Sequence, residues 1–343
     1  MTRQRLFSSP FNSCVSIIYF LLALYLLPQL LSWAVFDANW DGSDRESCTN
    51  GGACWVYIKV HINQFLFGFY PPQEYWRPIT CFIVFIGSLS LFYIPNRPFR
   101  KALSLWLFVI FPVAGFYTLY GTVGMLTEVE TRLWGGALLT LIISLSGMVF
   151  SLPAGVLLAL GRRSDLPIIR TSCTVFIEFW RGVPLITVLF MSSVMFPLLL
   201  PEGMTFNKLL RALLAVSLFS SAYMAEVIRG GLQALPSGQY EAGFALGLGY
   251  WKSHFFVILP QALRAVIPGI ANTLIGLFKD TTLVTTIGML DLLGVVQATS
   301  SHPDWLGYSL EGYLFAGLYF WLLCLILSRY SIKLEHKLSK GHS

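Results

Sequence analysis

Charged residues are scarce in this sequence. Asp, Glu, Lys and Arg make up only 12% of its 343 residues, whereas hydrophobic residues make up 55%. Soluble domains have about 25% charged residues, so the composition excludes a soluble globular fold and indicates an integral membrane protein. The net charge of +6 does not indicate a nucleic-acid surface, because no basic stretch is interleaved with aromatic residues.

The short motifs of common enzymes are also absent. The sequence has no G-x-x-x-x-G-K-[ST], H-E-x-x-H, G-x-S-x-G or C-x-x-C, the motifs that build nucleotide, zinc, acyl-transfer and dithiol sites. We therefore expect no catalytic residue, and if ATP drives this protein, another subunit hydrolyses it. We expect no metal site either, because the His residues are scattered: His61, His254, His302, His336 and His342.

The six cysteines form two groups. Four lie in or beside apolar runs, where cysteine behaves as a small hydrophobic residue: Cys14, Cys81, Cys173 and Cys324. Cys48 and Cys54 lie in a polar loop, on either side of an Asn50-Gly51-Gly52 turn that favours a disulfide between them. Two free thiols are the alternative if this loop lies inside the cell.

Long apolar runs account for most of the chain. The hydrocarbon core of a bilayer is ~30 Å thick, so a helix needs ~20 residues to cross it. Such runs occur at about 15–36, 78–94, 102–120, 134–160, 172–200, 209–229, 262–290 and 311–330. We predict an all-α integral membrane protein with about eight transmembrane helices. The first is an uncleaved span, because no small-residue cleavage site follows it.

Basic residues predict the orientation of these spans. Most of the 23 Lys and Arg residues fall in the connecting segments on one side. The positive-inside rule then places both termini and residues 236–260 in the cytoplasm, and residues 37–77 outside. We expect the many aromatic residues of this outer loop to lie along the membrane interface. A contact surface for an external partner is the alternative.

After Thr131 the spans are interrupted by Gly and Pro and carry polar residues inside them, and broken helices are tolerated where they line a cavity. Lys279 and Asp280 are the strongest signal, because an ionisable residue at membrane depth costs at least ~2.5 kcal/mol and usually faces a polar interior. A structural pair, or a lysine that reaches the interface, is the alternative. We expect Asp291, farther along, to be solvated near the outer end of its span.

Two E-x-x-R motifs occur in this half of the chain, Glu178 with Arg181 and Glu226 with Arg229. Each places opposite charges on one helix face at i, i+3. The pairs either line the inner mouth of a transport pathway or simply cap and fix helix ends. The sequence leaves both interpretations open.

The segment from Pro236 to Pro260 is neither a convincing span nor a short turn. A helix here carries small residues among larger apolar ones, so another protein surface could approach its backbone closely. We predict a docking helix, with an ordinary amphipathic connector as the alternative.

This segment resembles the cytoplasmic EAA loop of permeases of ATP-driven (ABC) importers. The matching residues are Glu241, Ala242, Gly243 in place of the second alanine, Gly247, Val257 in place of isoleucine, Leu259 and Pro260. Residues 174–190, 218–233 and 260–284 are similar to the polar amino-acid branch of these permeases, the His/Glu/Gln/Arg/opine type. The whole resembles the long subunit of a general L-amino-acid importer, which has extra N-terminal spans.

The resemblance implies a five-helix type I permease core at residues 131–335, with its EAA coupling loop at 236–260. Residues 1–130 are then an N-terminal extension with three transmembrane helices and the outer loop 37–77. Residues 336–343 are a cytoplasmic tail. The membrane is the bacterial inner membrane.

The resemblance also implies partners. They are a second permease subunit in a heterodimer, two ATPase subunits and a periplasmic amino-acid-binding protein. ATP and Mg bind to the ATPase subunits, so this chain binds no cofactor. The stretch from Glu241 to Trp251 fits a groove of the ATPase.

The substrates implied are polar amino acids, which are zwitterions. Asp280 is the candidate acceptor for the substrate ammonium. The candidate donors to its carboxylate are Lys279, Thr281, Thr282, Ser220, Ser221 and Tyr223. An ion-coupled secondary amino-acid transporter is the alternative, although such proteins usually have broken helices in both halves.

Overall fold

The computed structural model describes residues 8–49, 51–91, 100–121, 126–201 and 206–339. In these ranges every regular element is helical, and strand-like pairing is limited to isolated bridges. A bilayer favours this outcome, because a helix satisfies its backbone hydrogen bonds internally. The helices are α1 (Pro10–Leu31), α2 (Trp55–Phe67), α3 (Trp76–Leu91), α4 (Arg100–Leu105), α5 (Phe111–Tyr120), α6 (Gly136–Arg162), α7 (Pro167–Gly182), α8 (Leu185–Phe190), α9 (Phe196–Leu198), α10 (Lys208–Ala234), α11 (Ser237–Ala245), α12 (Tyr250–Ser253), α13 (Leu259–Ala265), α14 (Ile267–Asp280), α15 (Leu292–Ser300) and α16 (Ser309–Ser339).

Five helices of the described ranges are long and apolar enough to cross a membrane. They are Pro10–Phe36, Ala102–Tyr120, Gly136–Arg162, Lys208–Ala234 and Ser309–Lys337. They coincide with the first, third, fourth, sixth and eighth predicted runs. The predicted all-α membrane fold is confirmed.

The predicted span at 172–200 is broken into two helices. Pro167–Gly182 and Leu185–Leu198 meet at an angle of 101°. Pro184 causes the break, because a proline disfavours helical dihedrals at the residue before it. Val183 accordingly has extended dihedrals, with φ −105° and ψ 134°.

The predicted span at 262–290 is also bent. Tyr250–Ala265 and Ile267–Ile287 meet at 65°. Pro268 lies in the first turn of the second helix, where it cannot donate a hydrogen bond back to the helix before it. The first of these two helices begins at Tyr250, within the 236–260 segment, whereas the sequence predicted that the span begins at about 262.

The second predicted span, 78–94, corresponds to α3. This helix has only 16 residues, fewer than the ~20 that a bilayer requires, and the end of the predicted run lies outside the described residues. The described ranges thus contain up to seven candidate spans and the shorter α3, where the sequence predicts eight spans.

The chain divides into two compact units, the first of which contains Met1–Asn63 and Val296–Ala316. Here Cys48 and Cys54 form the disulfide that the sequence favours, with their Cα atoms 5.6 Å apart. The backbone N–H of Cys54 donates to the buried carboxylate of Glu311 at 3.0 Å. The disulfide-closed loop is therefore tied to the start of α16.

Tyr57 is a fully buried residue of this unit. Its hydroxyl is 2.6 Å from the Thr299 hydroxyl, and its ring is 5.4 Å from that of Trp305. Trp40 in contrast remains 55% exposed. Part of the predicted outer loop 37–77 is thus a packed structure rather than a surface-lying aromatic cluster.

The second unit contains Gln64–Val295 and Gly317–Ser343. Helices α6 and α10 pack along each other at its centre, and small residues allow their close approach. A Cβ atom at Gly155 would lie only 2.7 Å from Cγ of Met224. One buried cluster at this contact contains Ala159, Leu160, Ile177, Met224, Ala225, Ile228, Ile258 and Ala262.

Candidate functional site

The EAA-like segment, residues 236–260, folds as two helices joined by a turn. Helix α11 ends at Ala245, and Gly247 follows with a left-handed φ of +71°. The N–H of Leu248 donates to the Gly243 carbonyl at 3.1 Å, which closes the helix end as expected for a left-handed glycine. The predicted docking helix is therefore shorter than the segment, and the turn at Gly247 is its end.

The motif residues divide between the surface and the core. Glu241 and Ala242 are exposed, whereas Gly243 is buried against Ser253 of α12. Leu259 is buried at the start of α13, and Pro260 occupies the first turn of that helix. Gly243 thus packs α11 against α12, and Leu259 belongs to the buried cluster that includes Ala159, Ile177 and Met224. Glu241 and Ala242 remain available for contact.

Large apolar side chains stand exposed around the Gly247 turn. Phe244 is 61% exposed, Leu246 78% and Trp251 59%. We call these three residues the apolar edge. A cluster of exposed large apolar residues is typical of a protein interaction site.

Arg163 ties this segment to the transmembrane core. It caps the end of α6, and its Nη1 donates to the Leu232 carbonyl of α10 at 2.9 Å and to the Tyr240 hydroxyl of α11 at 2.8 Å. Tyr240 donates in turn to the Leu232 carbonyl at 2.9 Å, and the guanidinium lies 5.2 Å from the Tyr240 ring. One side chain thus links three helix ends.

A second contact joins the segment to the helix that follows it. Nε2 of Gln261 in α13 donates to Oε1 of Gln239 in α11 at 3.0 Å. Sequence reasoning missed Arg163, Tyr240 and both glutamines. The only signal for Arg163 was its place at the end of an apolar run, which was used for orientation alone.

Five charged residues form an arginine–glutamate cluster at neighbouring ends of α6, α7 and α10. They are Arg162, Glu178, Arg181, Glu226 and Arg229. Glu226 is at the centre: its carboxylate lies 2.5 Å from Arg162, 2.8 Å from Arg229 and 3.7 Å from Arg181. Arg162 also pairs with Glu178 at 2.8 Å. Three helices are thereby crosslinked by charge.

The two E-x-x-R motifs pair differently from each other. Glu226 and Arg229 pair within α10 as their i, i+3 spacing predicts. Glu178 and Arg181 form no ion pair with each other in the described part of the chain, and each pairs with another helix instead. The reason is that Arg162, which sequence reasoning did not include, ends α6 beside them.

The predicted substrate residues Lys279 and Asp280 are the last two residues of α14. Lys279 is exposed and Asp280 is half-buried, and within the described ranges no ion pair joins them. The hydroxyls of Thr281 and Thr282 donate to the carbonyls of Phe278 and Lys279 at 2.8 and 2.9 Å. These hydroxyls cap their own helix end.

The other predicted pathway residues lie on α10. Ser220 and Ser221 are buried, and the Ser221 hydroxyl donates to the Ser217 carbonyl at 2.6 Å. The Tyr223 ring is 5.8 Å from the Arg181 guanidinium, which places Tyr223 beside the arginine–glutamate cluster. No hydrogen bond among the described residues joins these side chains to residues 279–282, so the structure does not assemble one site from the two sets.

Asp291 is fully buried, whereas the sequence predicted a solvated residue. Its Oδ1 accepts from the Gly294 N–H at 2.9 Å and from the Thr285 hydroxyl at 3.1 Å. Burial raises the pKa of this carboxyl above its usual value of 3.8, although these hydrogen bonds oppose the shift. Asp291 therefore caps the start of α15 and is a structural residue.

Comparison with known proteins defines the class. Residues 151–340 match the family of inner membrane components of binding-protein-dependent transport systems. This is more than half of the chain, so the chain belongs to that family. The match includes the arginine–glutamate cluster, the EAA-like segment and residues 279–282.

Two relatives match over nearly the whole chain. The inner membrane amino-acid ABC transporter permease protein YhdY of Escherichia coli (strain K12) is 52% identical, covering 99% of this chain and 93% of that protein. The glutamate/glutamine/aspartate/asparagine transport system permease protein BztC of Rhodobacter capsulatus is 37% identical with the same coverage, 99% and 93%.

A solved structure agrees in fold. The crystal structure of an amino acid ABC transporter with histidines has 28% sequence identity and a TM-score of 0.51, covering 58% of this chain and 90% of that chain. The chain is therefore a multi-pass inner-membrane permease of the ABC importer class. In such systems, separate subunits hydrolyse ATP, and a binding protein takes part in transport. These matches favour ATP-driven import over the ion-coupled alternative.

Proposed function

We propose that this chain is the permease subunit of an ATP-driven importer of polar amino acids, in which it forms half of the translocation pathway. The relatives are permeases for amino acids. The observation that carries the proposal is the EAA-like segment: an exposed apolar edge, fixed by Arg163 to the ends of α6 and α10. This arrangement suits transmission of force from a docked partner to membrane helices.

The docked partner is an ATPase subunit. Two such subunits bind ATP and Mg, and this chain binds no cofactor of its own. A second, different permease completes the pathway as a heterodimer, and a periplasmic amino-acid-binding protein delivers the substrate. Both termini are cytoplasmic, which puts the apolar edge on the ATPase side of the membrane, in agreement with the positive-inside rule.

Closure of the ATPase dimer moves the EAA-like segment, and Arg163 passes that movement to α6 and α10. The arginine–glutamate cluster lies on the same helix ends, with Arg162 adjacent to Arg163 in sequence. Movement of these ends therefore separates or brings together the charged side chains at the inner mouth of the pathway.

Asp280 accepts the substrate ammonium in this proposal. It is half-buried at the end of α14, next to the exposed Lys279, and an ionisable residue at membrane depth is a functional candidate by default. Lys279, next to Asp280, is the candidate donor to the substrate carboxylate. The hydroxyls of Thr281, Thr282 and Ser221 donate to backbone carbonyls of their own helices, so each would have to give up that bond to serve as a donor, and Ser220 and Tyr223 are candidates on α10.

ATP hydrolysis by the reconstituted complex tests the proposal. This chain is coexpressed with its partner permease and ATPase, and the complex is placed in liposomes with binding protein loaded with one amino acid at a time. We expect particular polar amino acids to stimulate hydrolysis and to enter the liposomes. Uptake that follows an ion gradient and needs no ATPase would contradict the proposal.

A further inference from the structure

Glu178 and Arg181 have two possible sets of partners. Their i, i+3 spacing on α7 allows them to pair with each other, yet in the structure Glu178 pairs with Arg162 and Arg181 with Glu226. We propose that the transport cycle alternates between these crossed pairs and the local pair, which makes Glu178 and Arg181 positioning residues of the inner mouth. The inference rests on the proposed function.

The crossed pairs are the more exposed part of the cluster. The side chains of Glu178 and Arg181 are 55% and 36% exposed, against 16% for Glu226 and 23% for Arg162. The contact between Arg181 and Glu226 is the longest in the cluster, at 3.7 Å. Separation therefore begins at α7, while α6 and α10 stay joined through Arg162 and Glu226 at 2.5 Å.

The backbone permits α7 to move as a unit. Directly after Arg181, the chain passes through Gly182, Val183 and Pro184 into the bend of 101°. The space around Gly182 is open, because no atom beyond its chain neighbours and its own helix backbone lies within 4 Å of the position that a Cβ atom would take there. This break is a hinge between α7 and α8, and hinges commonly lie at the ends of helices.

Exchange of partners keeps the charges of α7 compensated in both arrangements. When α7 leaves α6 and α10, Glu178 and Arg181 neutralise each other, and Glu226 retains Arg162 and Arg229. No carboxylate is left without a cation. The two arrangements are thus discrete and both charge-compensated, so that the binding energy of a partner can shift the population from one to the other.

A double substitution that exchanges the charges of Glu178 and Arg181 distinguishes the crossed pairs from the local pair. Glu178→Arg combined with Arg181→Glu preserves the local pair but places an arginine opposite Arg162 and a carboxylate opposite Glu226. We expect the intact complex carrying this double substitution to hydrolyse ATP without loaded binding protein about fivefold faster, at the lower end of typical coupling factors. Stimulation by loaded binding protein should fall correspondingly.

The matched control is Glu178→Gln combined with Arg181→Gln. It abolishes the crossed ion pairs as well as the local ion pair, and it introduces no contact between like charges. We expect its unstimulated ATPase rate to change much less. Equal rates for the two double variants, or a wild-type rate for the charge exchange, would overturn the partner exchange. The proposed function would still stand if loaded binding protein stimulates the wild-type complex in the same assay.

A distance measurement in the otherwise unchanged complex gives an independent readout, and it remains informative if the charge exchange prevents assembly. Spin labels are attached at Phe179→Cys on α7, where the native ring is 55% exposed, and at Gly230→Cys on α10, where space is open. We expect two separations whose populations shift when ATP is trapped on the ATPase. A single separation in every nucleotide state would overturn the inference.

Discussion

Individual residues of the EAA-like segment are constrained by backbone conformation as well as by contacts. Gly247 has φ +71° with open space around its missing Cβ atom, so conformation rather than packing requires glycine there. Gly243 is the reverse case, since a Cβ atom there would clash with the Ser253 hydroxyl oxygen and would require that side chain to move. Backbone conformation therefore favours glycine at position 247, and packing favours it at position 243.

Gly247→Val should weaken ATPase docking. Left-handed dihedrals cost a residue with a Cβ atom about 1–2 kcal/mol, and a β-branched residue more, so the turn that presents the apolar edge is distorted. The measurement is copurification of the ATPase with the tagged permease. Gly238→Ala is the control, because that position also has open space and has helical neighbours. Normal copurification of the valine variant would count against the docking role.

Asp280→Asn should reduce uptake while leaving complex assembly intact. A hydrogen bond to a charged group is worth ~1.5–3 kcal/mol, so we expect roughly tenfold or greater loss of transport efficiency with a raised substrate concentration at half-maximal rate. Radiolabelled uptake into liposomes measures it. Thr286→Val, at an exposed position farther along, is the control. Unchanged uptake in a fully assembled Asp280→Asn complex would rule out ammonium recognition by Asp280.

Asp291 gives a pH-dependent prediction. Burial raises its pKa in the folded protein, so its protonated form is favoured by folding, and the stability that it contributes is greatest below its unfolded pKa. That contribution is lost as pH rises through the raised folded pKa. In the Asp291→Asn variant the side-chain amide does not titrate, but its oxygen can still accept the hydrogen bond from the Gly294 N–H.

The stability of the Asn variant relative to the native chain should therefore increase as pH rises from about 4 toward neutrality. Thermal unfolding of the detergent-solubilised protein at several pH values checks this. A difference between the two proteins that does not change with pH would show that Asp291 does not titrate in this range.

At the scale of elements, helix ends carry most of the functional arrangement. Proline and glycine positions in the sequence allow the two broken spans to be anticipated as interrupted, but not their angles of 101° and 65°. Angles depend on how each half packs against α10, a contact between segments distant in the chain. The same holds for Arg163, whose partners Leu232 and Tyr240 lie far along the sequence.

Tyr240→Phe tests the link between the EAA-like segment and the core. The substitution removes the hydrogen bonds to Arg163 and to the Leu232 carbonyl, each worth about 0.5–1.5 kcal/mol, and keeps the ring on which the guanidinium lies. We expect normal ATPase docking but weaker stimulation by loaded binding protein.

Tyr250→Phe is the matched control, since the described residues offer the Tyr250 hydroxyl no hydrogen bond. If both variants were stimulated to the same degree as the native complex, the link through Arg163 would not transmit the movement.

For the whole molecule, the main prediction concerns assembly. A heterodimeric permease contains one copy of this chain. When two differently tagged copies are coexpressed with the partner permease and the ATPase, purification through one tag should recover the partner permease and not the other tag. Recovery of both tags from a single complex would indicate a homodimer instead.

The sequence predicted the class of the protein and most of its spans, because crossing a bilayer requires long apolar runs that are visible without a structure. The motif residues from Glu241 to Pro260 were recognisable for a similar reason, since their spacing along one segment is local.

What the sequence by itself determined is therefore an all-α membrane permease, the occurrence of interrupted spans after Thr131, and the segment that resembles a coupling loop. Tertiary structure alone decided that Arg162 crosslinks Glu178 with Glu226, that Arg163 holds Tyr240, and that Asp291 is buried. The physical reason is that periodicity and spacing report on neighbours within one helix. Ion-pair partners and burial are set by which helix ends meet in space.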